Sequence, residues 1–307
     1  MLAAVNPWEW RPHPEVWLLV AAIVGMGFYV TRVIGPKAVA AGEPIVSTRQ
    51  RRYFVIGVVV LLIAADWPMH DIAERYLYSV HMFQHLLITF FIPIFFLQAT
   101  PEWLARLVLG GGDQERTLVG KLAKPLVAGV IFNALAALTH WNGIVQLSAD
   151  SGPFHYGIHL VMFASALLMW MPVLGPLPEL RLSPPGQMIY LFLMSIIPTI
   201  PAGWLTFADN VVYPAYDISD RLWGIGVIAD QQAAGAVMKI IGGFFLWSLI
   251  AVRFFRWSAE QRATDLSRRI VRGPVPDEAH SSSASGSLTF EQVAEEFDRT
   301  EPSRVEP

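Results

Sequence analysis

Histidine is the residue type whose spacing in this sequence most directly suggests chemistry. Two pairs are each separated by four positions, His81 with His85 and His155 with His159. Residues four apart lie on one face of a helix, so each pair can present two imidazoles together. Neutral imidazole is a common ligand of transition metals. Because the sequence contains no cysteine, thiolate ligands, disulfides and Cys-x-x-Cys redox chemistry are excluded.

Further candidate ligands lie near the ends of the same hydrophobic segments. His140 follows one apolar run, His70 lies in a short polar connection, and a segment beginning with Asp230 carries Met238 about two turns further along. A thioether together with imidazoles suits copper, and methionine favours the cuprous state. A carboxylate such as Asp230 can orient a ligating ring. A single histidine near a membrane surface is usually a hydrogen-bonding group, so the pairs carry the metal hypothesis.

Hydrophobic segments must position these residues. The chain has 307 residues, of which 54% are hydrophobic and 15% are charged, well below the roughly 25% charged residues of soluble domains. Apolar runs long enough to cross a hydrocarbon core of about 30 Å as helices recur along the chain. We predict an all-α, polytopic membrane protein with seven spans at about 15–35, 53–66, 79–98, 125–140, 156–174, 187–206 and 231–252.

The distribution of basic residues predicts the orientation of these spans. With the N-terminus outside, sixteen Lys and Arg residues fall in the inner segments, whereas the outer segments hold only Arg11, Arg75 and Arg221. Inner segments of membrane proteins carry the excess of Lys and Arg. We therefore expect the N-terminus outside and the C-terminus inside. Six of the eight histidines then lie at the outer ends of spans or in the outer connections.

The composition changes after Trp257. We predict a transmembrane domain over 1–257 and a cytoplasmic tail over 258–307, largely disordered because residues 273–287 are rich in Pro and Ser. A capping-box pattern that begins at Thr289 indicates a short helix near 289–298, or a segment that folds only transiently.

The order and spacing of the motifs resemble one known family, the CtaG-type cytochrome c oxidase assembly proteins. The resemblance covers about residues 50–255. It is carried by four motifs: His81-Met-x-Gln-His85 with an apolar run ending Ala99-Thr-Pro101, His140-Trp141, His155-x-x-x-His159 with Trp170-x-Pro172-Val, and Asp230-Gln-Gln-x-Ala-Gly235-x-x-Met238.

The resemblance implies a multi-pass protein of the bacterial inner (cytoplasmic) membrane that helps to assemble a haem–copper oxidase by supplying copper. Its partners would be membrane lipid, the catalytic subunit of cytochrome c oxidase and a periplasmic copper donor, with no nucleic acid and no enzymatic reaction. The implied metal ligands are His81, His85, His155 and His159, with Met238 as an auxiliary ligand, Asp230 and Gln231 as orienting groups, and His140 and His70 in outer positions.

Two alternatives remain open at the level of the residues. In a haem-binding membrane cytochrome, histidines from two helices, such as His85 and His159, would be the axial ligands of the iron. In a metal-free scaffold that docks oxidase subunits, the same histidines would serve as hydrogen-bonding groups.

Overall fold

The computed structural model describes residues 6–109, 117–219 and 221–272, together with 290, 291 and 295. Their regular structure is entirely helical, which confirms the all-α prediction. The chain divides into two compact units, one ending at Arg256 and one beginning at Trp257. The helix predicted near 289–298 lies almost entirely outside the described residues.

Thirteen helices within the described ranges are used below. In chain order they are α1 (Pro14–Ala38), α2 (Thr48–Ala65), α3 (Met69–Arg75), α4 (Tyr78–Ala99), α5 (Glu102–Val108), α6 (Leu118–Leu122), α7 (Pro125–Thr139), α8 (Asn142–Asp150), α9 (Gly152–Leu174), α10 (Pro184–Ile196), α11 (Thr199–Thr206), α12 (Val227–Val237) and α13 (Gly243–Arg272). A π-helical turn at Met238–Gly242 joins α12 to α13.

Six apolar helical stretches in the described part of the chain are long enough to cross a membrane. The prediction of a polytopic membrane protein is therefore confirmed. The stretch predicted at 125–140 corresponds to α7, which forms a pair with α8 that is bent by 72°. If this bent pair is one broken span, the described helices make seven spans. The orientation of the termini stays a prediction.

Local sequence explains several helix boundaries. At the start of α2, Ser47 Oγ accepts a hydrogen bond from Gln50 N, and Gln50 Oε1 accepts one from Ser47 N, a capping box. Pro198 separates α10 from α11, as expected for a residue that lacks the N–H and clashes with the preceding turn. Although proline usually disrupts a helix interior, α9 includes Pro172 near its end and finishes at Leu174.

A buried aromatic cluster holds α4 and α9 together. Trp170 is fully buried, and its indole Nε1 donates a hydrogen bond to the Thr89 carbonyl at 2.9 Å. Phe90 and Phe245 pack edge-to-face against its ring, at centroid distances of 6.0 and 6.2 Å. This packing fixes the relative position of the two helices that carry the histidine pairs.

Candidate metal centre

The two histidine pairs face each other from α4 and α9. The ring centroids of His81 and His155 are 5.5 Å apart, and those of His85 and His159 are 4.8 Å apart. Within the α4 pair, the two Nε2 atoms approach to 3.0 Å. The structure thus brings into one cluster the four imidazoles proposed from the sequence as ligands.

A carboxylate from α3 joins this cluster. Glu74 Oε1 lies 2.7 Å from His155 Nε2 and 3.3 Å from His81 Nδ1. One donor atom each from Glu74, His81, His155 and His159 lies within 4.8 Å of all the others. Sequence reasoning missed Glu74, although it stands seven positions before His81. The chain breaks its helix between Arg75 and Tyr78, so spacing along one helix cannot relate the two residues.

The donor atoms of this cluster lie close together without forming hydrogen bonds to one another. Among the described residues, Glu74 Oε1, His81 Nδ1, His155 Nε2 and His159 Nε2 are buried and make no hydrogen bond of normal geometry. Glu74 Oε1 and His155 Nε2 therefore lie close together, at 2.7 Å, without the alignment of a hydrogen bond. Buried polar atoms almost always have a partner. Four that point at one another fit a bound cation, and we call them the converging donors.

The dimensions of the site suit an ion. Two ligands on opposite sides of a metal, each about 2.0–2.1 Å from it, lie about 4.1 Å apart. The converging donors lie within 4.8 Å of one another, a spread of similar size. The cavity they line has a volume of about 40 Å³, enough for an ion or a single water molecule.

Neighbouring helices orient the imidazole rings of the cluster. Ser148 Oγ, on α8, lies 2.7 Å from His155 Nδ1, so the other nitrogen of this ring faces Glu74. The Tyr78 ring stacks on His81 at a centroid distance of 5.7 Å. Such contacts around metal-binding histidines select the tautomer and the ring orientation.

Two tyrosines from the connection between α11 and α12 close the cluster on another side. Tyr216 lies 6.2 Å from His81 between ring centroids, and Tyr213 packs on Tyr78 at 4.8 Å. Burial raises the pKa of Tyr213 to about 12 and raises that of Tyr216 well above its ordinary value. Without a bound metal, burial therefore favours the neutral phenol of both side chains.

The polar residues that open α12 act on the backbone around the site. The Asp230 carboxylate accepts hydrogen bonds from Tyr78 N at 2.7 Å, Ser79 N at 3.0 Å and Ser79 Oγ at 2.5 Å, and so caps α4. The Gln231 side chain accepts from Val212 N at 2.9 Å and donates to the Tyr213 carbonyl at 3.1 Å. Both residues, proposed as orienting groups, position helices and loops rather than imidazole rings.

The chain matches the family model described as cytochrome c oxidase caa3 assembly factor (Caa3_CtaG) over residues 27–260. It belongs to this family. The resemblance stated from the motifs is thereby confirmed, and the matched region contains all the residues of the cluster. Comparisons with curated proteins and with solved structures gave no significant match.

In this assembly factor, the remaining candidate residues lie beside the cluster. His70 Nδ1 is 3.2 Å from Gln84 Nε2, and its Nε2 is 3.4 Å from Tyr156 Oη, which places it in a separate polar network. His140 Nε2 lies 3.2 Å from Met238 Sδ. The structure thus pairs Met238 with His140.

Proposed function

We propose that this oxidase assembly factor binds copper between α3, α4 and α9 and delivers it to the catalytic subunit of a haem–copper oxidase. The observation that carries the proposal is the set of converging donors from Glu74, His81, His155 and His159. His85, whose Nε2 lies 3.0 Å from that of His81, completes the ligand set. Copper is the cargo, so the protein carries out no catalytic step.

The chemistry of the donors supports an exchangeable site. Imidazoles suit copper, and one carboxylate offsets the charge of the cation. Without thiolates, the site lacks the ligands that would hold soft metals most firmly. With the N-terminus outside the inner membrane of a bacterium, the cluster lies on the outer side, where a periplasmic copper donor can reach it.

Geometry favours an ion over haem. An iron bound by two imidazoles on opposite sides, at about 2.0 Å each, holds the ring centres roughly 6 Å apart. The rings of His85 and His159 are 4.8 Å apart. The cavity of about 40 Å³ is also far below the roughly 300–1,000 Å³ of pockets for organic ligands. A metal-free scaffold leaves the buried converging donors without hydrogen-bond partners.

The test compares two substitutions in a strain that lacks the native gene. Glu74→Gln removes the carboxylate charge while keeping its shape, and Glu260→Gln changes an exposed glutamate in the same way. We expect Glu74→Gln to lower the affinity of the purified protein for copper about 10–100-fold or more. The copper content and activity of the purified oxidase should fall in parallel, and Glu260→Gln should leave all three unchanged.

The double variant His155→Ala/His159→Ala separates delivery from docking. If copper is delivered by this site, oxidase subunits should assemble in normal amounts but contain less copper at the catalytic centre. Oxidase with full copper content in this strain would refute the delivery proposal and favour the metal-free scaffold.

A further inference from the structure

A second cavity adjoins the cluster. It has a volume of about 80 Å³ and shares Met82, His85, Thr139 and His140 with the first cavity. Beyond these residues its lining is rich in thioethers, contributed by Met162, Met194 and Met238. The two adjoining cavities therefore offer different metal-donor atoms. The first offers nitrogen and oxygen, and the second is rich in sulfur.

The hydrogen bond made by one ring nitrogen of His140 leaves the other nitrogen available as a metal ligand. His140 Nδ1 lies 2.6 Å from the Ala136 carbonyl oxygen, so this nitrogen must carry the proton and donate it. In the neutral ring, Nε2 then presents a lone pair. That lone pair faces Met238 Sδ, itself a lone-pair donor, at 3.2 Å. A charged imidazolium would satisfy both contacts but is costly in this apolar setting.

We infer that His140 and Met238 form a second position for copper(I), separate from the glutamate–histidine cluster. This inference rests on the proposed function, because it describes a further step of the same cargo. Nitrogen and thioether ligands favour the cuprous ion. His85 lines both cavities and is therefore placed to ligate the ion at either position.

Transfer between the two positions is a ligand exchange. The bond from Cu(I) to an imidazole nitrogen of the cluster breaks as the bond to Met238 Sδ forms. The copper stays Cu(I), so no electron, oxidant or reductant is required.

A positive charge that lines the second cavity makes this position transient. Lys239, which also lines it, donates a hydrogen bond from Nζ to Thr199 Oγ1 at 2.6 Å. Its positive charge opposes the residence of a cation nearby. The cluster, which contains a carboxylate, therefore binds copper more tightly than the second position does.

The test is an anaerobic titration of the full-length protein, in detergent, with Cu(I) and a competing chromophoric chelator. Copper X-ray absorption is recorded at each step. We expect two equivalents of copper, with sulfur scattering only as the second equivalent binds. Met238→Leu should lose the second equivalent and the sulfur signal. Met169→Leu, the same substitution at a fully buried core position, should retain both. Thermal unfolding of each variant checks that its fold is intact.

The two proposals fail in different ways. Copper bound with nitrogen and oxygen ligands alone, or sulfur scattering that persists in Met238→Leu, would overturn the second position and leave the first standing. In His155→Ala/His159→Ala, we expect the sulfur-containing site to remain as the first equivalent bound. A protein that binds no Cu(I) would overturn both.

Discussion

At the scale of single residues, hydrogen bonds decide which nitrogen of each imidazole can bind a metal. Ser148 occupies Nδ1 of His155 and leaves Nε2 towards Glu74. The Ala136 carbonyl occupies Nδ1 of His140 and leaves Nε2 towards Met238. Under the proposed function, the nitrogen that each of these histidines offers to copper therefore depends on neighbours that are not themselves proposed ligands.

Ser148→Ala should weaken metal binding without unfolding the protein. Loss of its hydrogen bond lets the His155 ring rotate, and removal of such an orienting partner typically costs about 10–100-fold in metal affinity. Isothermal titration with copper measures the effect. Ser267→Ala, which removes an exposed hydroxyl bonded to the Ala263 carbonyl, is the matched control. Equal affinities for the two variants would show that Ser148 does not orient His155.

At the scale of helices, the polar start of α12 anchors α4. Tyr78 N and Ser79 N belong to the first turn of α4, whose N–H groups have no partner within the helix. Asp230 supplies their acceptor from more than 150 positions further along the chain. Asp230 thus fixes the N-terminus of α4, the helix that carries His81 and His85.

Asp230→Asn should therefore destabilise the protein by about 1–2 kcal/mol, since it removes the charge that stabilises the N-terminus of α4. The measurement is thermal or denaturant unfolding in detergent. Asp150→Asn, at an exposed carboxylate bonded only weakly to Gln146 at 3.3 Å, should change stability little. A stability loss that is the same in both variants would contradict the capping role.

The packing of α12 against α11 depends on one glycine. A Cβ at Gly235 would lie 2.5 Å from the Ala202 carbonyl oxygen and 2.7 Å from Thr206 N, both backbone atoms. Backbone atoms cannot rotate away as a flexible side chain can. The two helices can therefore approach this closely only because residue 235 has no side chain.

Gly235→Ala should destabilise the protein by about 1–3 kcal/mol, because the two helices must move apart. Gly157→Ala, in α9, is the opposite case: its Cβ would meet no described atom within 4 Å. That change should stabilise the helix by up to about 1 kcal/mol. In detergent, the unfolding temperature should fall for Gly235→Ala and rise for Gly157→Ala. An unchanged unfolding temperature for Gly235→Ala would refute the close approach of the two helices.

At the scale of the whole molecule, polar contacts at the start of α1 attach it to two neighbouring helices. Only 11% of its membrane-spanning window is buried. His13 Nε2 lies 3.0 Å from Asp71 and its Nδ1 lies 3.2 Å from Glu15. Tyr156 donates a hydrogen bond to Glu15 at 2.9 Å. These contacts link α1 to α3 and α9, the helices that carry Glu74 and the second histidine pair.

This attachment should weaken as the pH rises. Burial lowers the pKa of His13, but its hydrogen bonds to Asp71 and Glu15 outweigh burial and raise it above the ordinary value of 6.5. A raised pKa stabilises the folded form fully below pH 6.5, and this contribution is lost as the pH rises through the folded pKa. The charged and titratable groups facing His13 are Asp71, Glu15 and His70.

Hydrogen exchange at the start of α1, compared between wild type and His13→Ala from pH 5.5 to 9, measures the effect. We expect the wild type to be more protected at low pH and the two proteins to converge at high pH. A difference that is constant with pH would show that the charge of His13 does not hold α1.

Much of this molecule follows from local sequence. Apolar length determines that the chain is helical and crosses a membrane, because backbone groups in lipid must be paired within the segment. The four-residue spacing puts His81 beside His85 and His155 beside His159, since one helical turn relates the members of each pair. Pro198 interrupts its helix because proline lacks the backbone N–H and its ring clashes with the preceding turn.

Only the tertiary structure placed Glu74 among the histidines, used Asp230 as a cap for α4 and paired His140 with Met238. Each of these contacts joins residues on different helices. They depend on how side chains of different size and shape interlock when helices pack, through the core around Trp170 and the close approach at Gly235. The period of a helix specifies which side chains share a face, but not which face of another helix they meet.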